Sequence, residues 1–99
     1  MENQHRKITG YRELSPDEIS LMNEIKAEGE RLKSLLEKVS EHLAVQLDEA
    51  HSLEFVADRT AELARIKKAE PQHWLKIATE ELQTGVMFLV RSVAQPTTF

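Results

Sequence analysis

Six residues punctuate this chain of 99: glycines at 10, 29 and 85, and prolines at 16, 71 and 96. So few breakers leave little room for a turn-rich β fold. Between them, from Asp17 to Ala94, the sequence is dominated by Ala, Leu, Glu, Lys, Arg and Gln, which cost little in a helix. The pattern predicts an all-α fold: one long helix folded antiparallel onto a second arm, which Pro71 kinks or splits. The expected elements are an N-terminal arm over 1–12, helices over 15–47, 51–69 and 71–94, and a tail over 95–99. A chain of this length makes one domain at most. Its core is marginal, and with no cysteine there is no disulfide or thiolate metal site to supplement it.

The stretch from Gly10 to Gly29 carries the clearest local signal. Ser15 suits the N-cap and Pro16 the first helical position, where no N–H is needed. Glu18 completes a reciprocal capping box with Ser15, and Leu14 with Ile19 can form a hydrophobic staple. Apolar residues then recur at Ile19, Met22, Ile25, Leu32, Leu36, Val39 and Leu43, three or four apart, with Gly29 in the one gap. A glycine inside a helix costs on the order of 1 kcal/mol relative to alanine. Close approach of a partner helix or ligand would account for it.

Asp48 to Ser52 is the expected turn. In the following segment Leu53, Val56, Ala57, Leu63, Ala64 and Ile66 are expected to face inward. After Pro71, Trp74, Leu75, Ala78, Leu82, Val86, Leu89 and Val93 follow at helical spacing. Ile77, Met87, Phe88 and Val90 add apolar surface on other sides. A helix apolar nearly all round, as from Gly85 to Val93, must be covered on more than one side. In so short a chain another subunit supplies that cover, and a homo-oligomer is expected.

Thirteen Lys and Arg against seventeen Asp and Glu give a net charge of -4. That balance argues against a DNA or RNA polymer as partner. A small phosphorylated ligand held by a few local cations remains compatible with it. No apolar run approaches the roughly 20 residues of a membrane span. MENQHRKITG carries no hydrophobic region of a secretory signal, so a cytoplasmic protein is expected.

His5, His42, His51 and His73 include no pair at i, i+3 or i+4, and no zinc site is expected. Glu24, Glu28, Glu41 and Glu49 lack the Glu-x-x-His pattern of a di-metal carboxylate site. There is no Gly-rich phosphate loop, HExxH, GxSxG or cysteine nucleophile. An enzyme is disfavoured and no cofactor is expected. What remains is Tyr11, Arg12, Lys26 and the basic arm. An aromatic can stack on a nucleobase and a fixed cation can pair a phosphate oxygen. Taken alone, a tyrosine before a helix is more often a packing residue and a helix lysine more often a solvated one.

The N-terminal HRKITGYRELSPDEISLMNEIKAEG resembles the phage anti-CBASS cyclic-nucleotide sponges, small helical-hairpin proteins related to the hairpin region of the anti-Thoeris sponges. The C-terminal ELQTGVMFLVRSVAQPTTF is similar to that family's closing helix and tail. The resemblance implies a compact homohexamer in the host cytoplasm. It would sequester cyclic dinucleotides such as 3′,3′-cGAMP without cleaving them, which starves the CBASS effector of its signal.

The resemblance places the family's stacking aromatic at Tyr11 and its phosphate-binding lysine at Lys26, in a pocket between protomers. It also implies a separate cyclic-trinucleotide pocket where three protomers meet, at Glu28, Lys67 and Ala69. Two of these depart from the family pattern: Glu28 stands where a small hydroxyl residue is expected, and Lys67 where an arginine is. A carboxylate facing phosphates is repulsive unless it turns away. Lysine lacks arginine's bidentate fork. The alternative from the apolar helix at Gly85 to Val93 is a non-enzymatic helical module that binds a host protein.

Overall fold

A computed structural model describes residues 12–98. The fold is an all-α helical hairpin, with element order α1 (Pro16–His51), α2 (Val56–Ala69) and α3 (Pro71–Ala94). The expected arm over 1–12, with His5 and Tyr11, lies outside the described residues except for Arg12, and so does Phe99. The chain divides into two compact units: Met1–Arg31 with Leu82–Phe99, and Leu32–Glu81.

In the first unit the start of α1 runs antiparallel to the end of α3. Arg12, just before α1, reaches the carbonyls of Val93 and Ala94 at the end of α3. Further along, Gly29 faces Val86. Among the described residues of this unit, Ile25, 8 % exposed, is the buried apolar side chain. A β-carbon at Gly29 would lie 3.7 Å from Val86 Cγ1, an ordinary contact. Nothing among the described residues of the protomer therefore requires glycine there.

In the second unit the expected turn at Asp48 to Ser52 is displaced. Helix α1 continues to His51, and the turn takes residues 52–55. No glycine or proline interrupts residues 30–51, so the helical ladder runs on until Ser52 N–H closes it on Asp48 O at 3.0 Å. Helix α2 accordingly begins at Val56 rather than 51. Its N-cap, Phe55, makes no side-chain cap bond. Ala50, 2 % exposed, is buried beside the turn.

Between α2 and α3, Glu70 adopts the left-handed conformation (φ 51°, ψ 51°) and its N–H bonds Ile66 O at 3.0 Å. Pro71, lacking an N–H, opens α3, so the second arm is split rather than merely kinked. Helix α3 ends on a second left-handed residue, Gln95, ahead of Pro96.

The inward stripe differs from the expected one in instructive ways. Along α1 the less exposed positions are Glu18, Met22, Ile25, Gly29, Leu32, Leu36, Leu43, Gln46 and Ala50, alternating three and four apart around Val39. Ile19 is exposed, and Glu18 takes its place. In α2 Leu63 and Ile66 are half-buried as expected, but Val56, Ala57 and Ala64 are exposed, and so is Leu53 in the turn. The later start of α2 changes what the turn contributes. Arg59 folds back onto Leu53 O at 3.1 Å and is half-buried. In α3 Leu75, Ala78, Val86 and Val93 are half-buried, whereas Trp74, Leu82 and Leu89 are exposed. Trp74 turns its indole N–H to Ala69 O at 3.1 Å, which holds the ring against the α2–α3 junction and leaves it 59 % exposed.

Candidate ligand-binding site

The start of α1 is fixed by its cap. Ser15 N–H donates to Glu18 Oε1 at 2.9 Å, Glu18 N–H donates to Ser15 Oγ at 3.2 Å, and Ile19 N–H reaches Ser15 O at 3.0 Å. This is the expected capping box. The sequence did not disclose that Glu18 has a second partner. Arg12 Nη1 donates to Glu18 Oε1 at 3.1 Å, and Arg12 Nη2 bonds Glu18 Oε2. The same guanidinium turns its other edge to the end of α3. Nε donates to Ala94 O at 3.2 Å and Nη2 to Val93 O at 2.6 Å.

Those carbonyls lie in the last turn of α3, where the helix has no N–H groups left for them and the dipole is negative. One cation thus joins an acidic helix start to a carbonyl-rich helix end. The Arg12 hydrogen bonds, with help from Ser15, hold the Glu18 carboxyl well below its usual range, at about 2. The pairing raises Arg12 in turn.

Lys26 lies ten residues into α1 from Pro16, about 15 Å along the axis at 1.5 Å per residue. It is exposed and makes no ion pair or hydrogen bond among the described residues. Arg12, by contrast, has its guanidinium committed. Tyr11, the third expected dinucleotide residue, is outside the described residues.

Of the residues expected for a trinucleotide, Glu28 pairs with Arg31 at 2.9 Å along the surface of α1. Its carboxylate is thereby turned onto a cation, which answers part of the repulsion that an acidic side chain raises. Lys67 is exposed in the last turn of α2, and Ala69 offers its carbonyl to Trp74. Glu28 belongs to the first unit, Lys67 and Ala69 to the second. Arg31 and Trp74 were not among the expected site residues. The i, i+3 spacing from Glu28 is the signal that would have found Arg31, but the exposure of Trp74 depends on the turn at Glu70.

Among the described residues no group of three or more His, Asp or Glu side chains stands where it could hold a metal ion. No helix among them is long and apolar enough to cross a membrane.

The family model described as the Acb2/Tad1 hairpin domain matches residues 3–94. The chain belongs to the Acb2/Tad1 hairpin family. It is 43% identical over 105 residues to Anti-CBASS protein 2 of Pseudomonas phage JBD67, a match that covers 97% of each chain. This family member therefore spans its relative almost end to end. The stretch that holds Arg12, Glu18 and Lys26 falls within the matched region.

Proposed function

We propose that this protein is a phage anti-CBASS sponge that binds cyclic oligonucleotide second messengers inside the host cell and holds them intact. The observation that carries the reading is the near full-length likeness to Anti-CBASS protein 2. Tyr11 would stack on a base and Lys26 would pair the phosphates of a cyclic dinucleotide such as 3′,3′-cGAMP. The exposed ammonium of Lys26, unpaired among the described residues, supports its part. About 15 Å of helix separates it from the start of α1, too far for one protomer to close both ends of the grip on a compact ligand. The pocket is therefore shared between subunits, and binding depends on the oligomer.

Exposed apolar side chains support a homo-oligomer, with a hexamer as the family form. Met87 and Phe88 are 68 % and 65 % exposed, and among the described residues only Ile25 and Ala50 are buried hydrophobics. A cyclic trinucleotide would occupy a second pocket where three protomers meet, drawing on Glu28, Lys67 and Ala69.

The test is to mix purified protein with 3′,3′-cGAMP, remove unbound ligand, denature by heat and analyse the released nucleotide. Intact 3′,3′-cGAMP is expected. A linear product would replace the sponge with a phosphodiesterase. Calorimetry against a panel of cyclic di- and trinucleotides completes the test, and no heat from any of them would favour a module that binds a host protein through α3.

A further inference from the structure

We propose that Trp74 stacks on a nucleobase of the cyclic trinucleotide, as an aromatic platform built where α2 meets α3 and flanked by Lys67 and Lys68. This role rests on the sponge reading above for the class of ligand, and it adds to the second pocket a residue that the sequence pattern did not assign to it.

The ring is held in place. Its indole N–H donates to Ala69 O at 3.1 Å, and its backbone N–H to Glu70 O at 3.3 Å. His73 meets it edge to face, with 5.1 Å between ring centroids. The one polar edge of the indole is therefore satisfied by the protein, while the residue stays 59 % exposed. Stacking needs what this leaves, a flat apolar surface with no polar atom of its own to satisfy. A ring already fixed also loses less freedom on binding than a mobile one. The turn creates the arrangement. Left-handed Glu70 ends α2 and Pro71 opens α3, so the first turn of α3 carries Trp74 back onto the last carbonyl of α2.

Charge separates a nucleotide from a second subunit as the occupant of this face. From Ile66 to Lys76 the chain holds Lys67, Lys68 and Lys76 against one acid, Glu70, although its net charge is -4. The three lysines are exposed, and none has an ion-pair partner among the described residues. Lysine is depleted at the buried centre of subunit contacts. A tryptophan beside unpaired lysines meets the two needs of a small nucleotide, a π-face for the base and cations for the phosphates. Phe88, 65 % exposed, has the apolar Met87 and Leu89 beside it and suits a subunit contact better. Carbonyls at the end of a helix oppose an anion. Two of those at the end of α2 are already taken, Ile66 O by the Glu70 N–H and Ala69 O by the indole.

Trp74 is the single tryptophan of the chain, so its fluorescence reads this site in the intact protein. Cyclic triadenylate is titrated into the full-length protein, followed by indole emission and by calorimetry, with 3′,3′-cGAMP in a parallel titration. Without ligand, emission is expected at the long wavelength of a solvated indole. Cyclic triadenylate is expected to quench it with the midpoint that calorimetry gives, and 3′,3′-cGAMP to leave it unchanged. Trp74→Ala is expected to raise the Kd for cyclic triadenylate roughly tenfold to a hundredfold and to bind 3′,3′-cGAMP as the parent does. Trp74→Phe, which keeps a stacking face and loses the N–H that orients it, is expected to fall between the two.

Heat from cyclic triadenylate with unquenched emission overturns the inference, as does Trp74→Ala that binds it as tightly as the parent. Quenching by both nucleotides alike removes Trp74 from the second pocket. Blue-shifted emission before ligand is added, or a Trp74→Ala that keeps its helicity and dissociates in light scattering, would make the indole a subunit contact. The titration of the parent decides the matter even where Trp74→Ala does not fold. Heat from 3′,3′-cGAMP alone overturns the inference and leaves the sponge reading standing, whereas no heat from either nucleotide removes the sponge reading itself.

Discussion

Arg12 and Glu18 form a two-pronged ion pair six residues apart, and the same guanidinium bonds the carbonyls of Val93 and Ala94, more than eighty residues away. A local helix cap is in this way made part of a tertiary contact. The pair is partly exposed, with side-chain exposures of 37% and 29%, so its strength depends on ionisation and on salt.

The pair makes stability pH-dependent with a defined sign. Glu18 is lowered in the folded state to about 2 from an ordinary 4.5. A depressed carboxylate contributes stability that is complete above the unfolded value and is lost as pH falls through the folded one. The difference in stability between the parent and Glu18→Gln is therefore expected to be constant above pH 5 and to shrink from there to about pH 2. Denaturant titrations at stepped pH check it. A difference that persists at pH 2 would place the effect elsewhere.

Tyr11→Ala and Lys26→Ala are expected to weaken 3′,3′-cGAMP binding while leaving the assembly intact. Loss of one base stack is worth about 1–3 kcal/mol, and loss of a hydrogen bond to a charged group about 1.5–3 kcal/mol. Each corresponds to roughly tenfold to a hundredfold in Kd. Calorimetry paired with light scattering separates affinity from assembly, and variants that turn monomeric would mark the positions as structural.

Gly29→Ala tests whether the glycine serves the protomer or something outside it. A β-carbon fits at 3.7 Å from Val86, so within one chain alanine gains about 1 kcal/mol of helix propensity. The expected outcome is a higher Tm for dissociated protein. If binding or assembly falls at the same time, the missing side chain makes room for a ligand or a second subunit.

Glu70→Gly addresses the split between α2 and α3. The left-handed conformation at Glu70 costs a residue with a β-carbon roughly 1 kcal/mol, which glycine avoids. The variant is expected to unfold at higher denaturant concentration with an unchanged m-value. A fall in stability would show that the Glu70 side chain contributes more than its backbone costs.

The exposed Phe88 is predicted to lie in a subunit contact. Phe88→Glu is expected to shift the protein toward smaller species in size-exclusion chromatography with light scattering. The dependence of Tm on protein concentration, which mass action requires of an oligomer, should weaken with it.

Much of the fold was written in local patterns. Ser15, Pro16 and Glu18 placed the start of α1 to within a residue, and Pro71 and Pro96 placed the start of α3 and the end of the last helix. These signals are legible because caps and breakers act over three or four residues. The turn near residue 50 was not legible, because Asp48 to Ser52 contains no breaker and the end of α1 is settled by packing around Ala50. On the second arm Leu63 and Ile66 face inward as expected, but Leu53, Val56 and Ala57, next to the displaced turn, do not. The candidate site divided likewise. Lys26 was proposed through the family resemblance, whereas the partners of Arg12 were not legible in the sequence.

The sequence by itself determined an all-α chain, its breakpoints and a residual set of cations and aromatics suited to a small anion. Helix propensity, capping and proline geometry need only neighbouring residues. The tertiary structure alone decided that Arg12 is spent on Glu18, Val93 and Ala94 while Lys26 has no partner among the described residues. A hydrogen bond across more than eighty residues exists only when two helix ends meet, and no local pattern encodes that meeting.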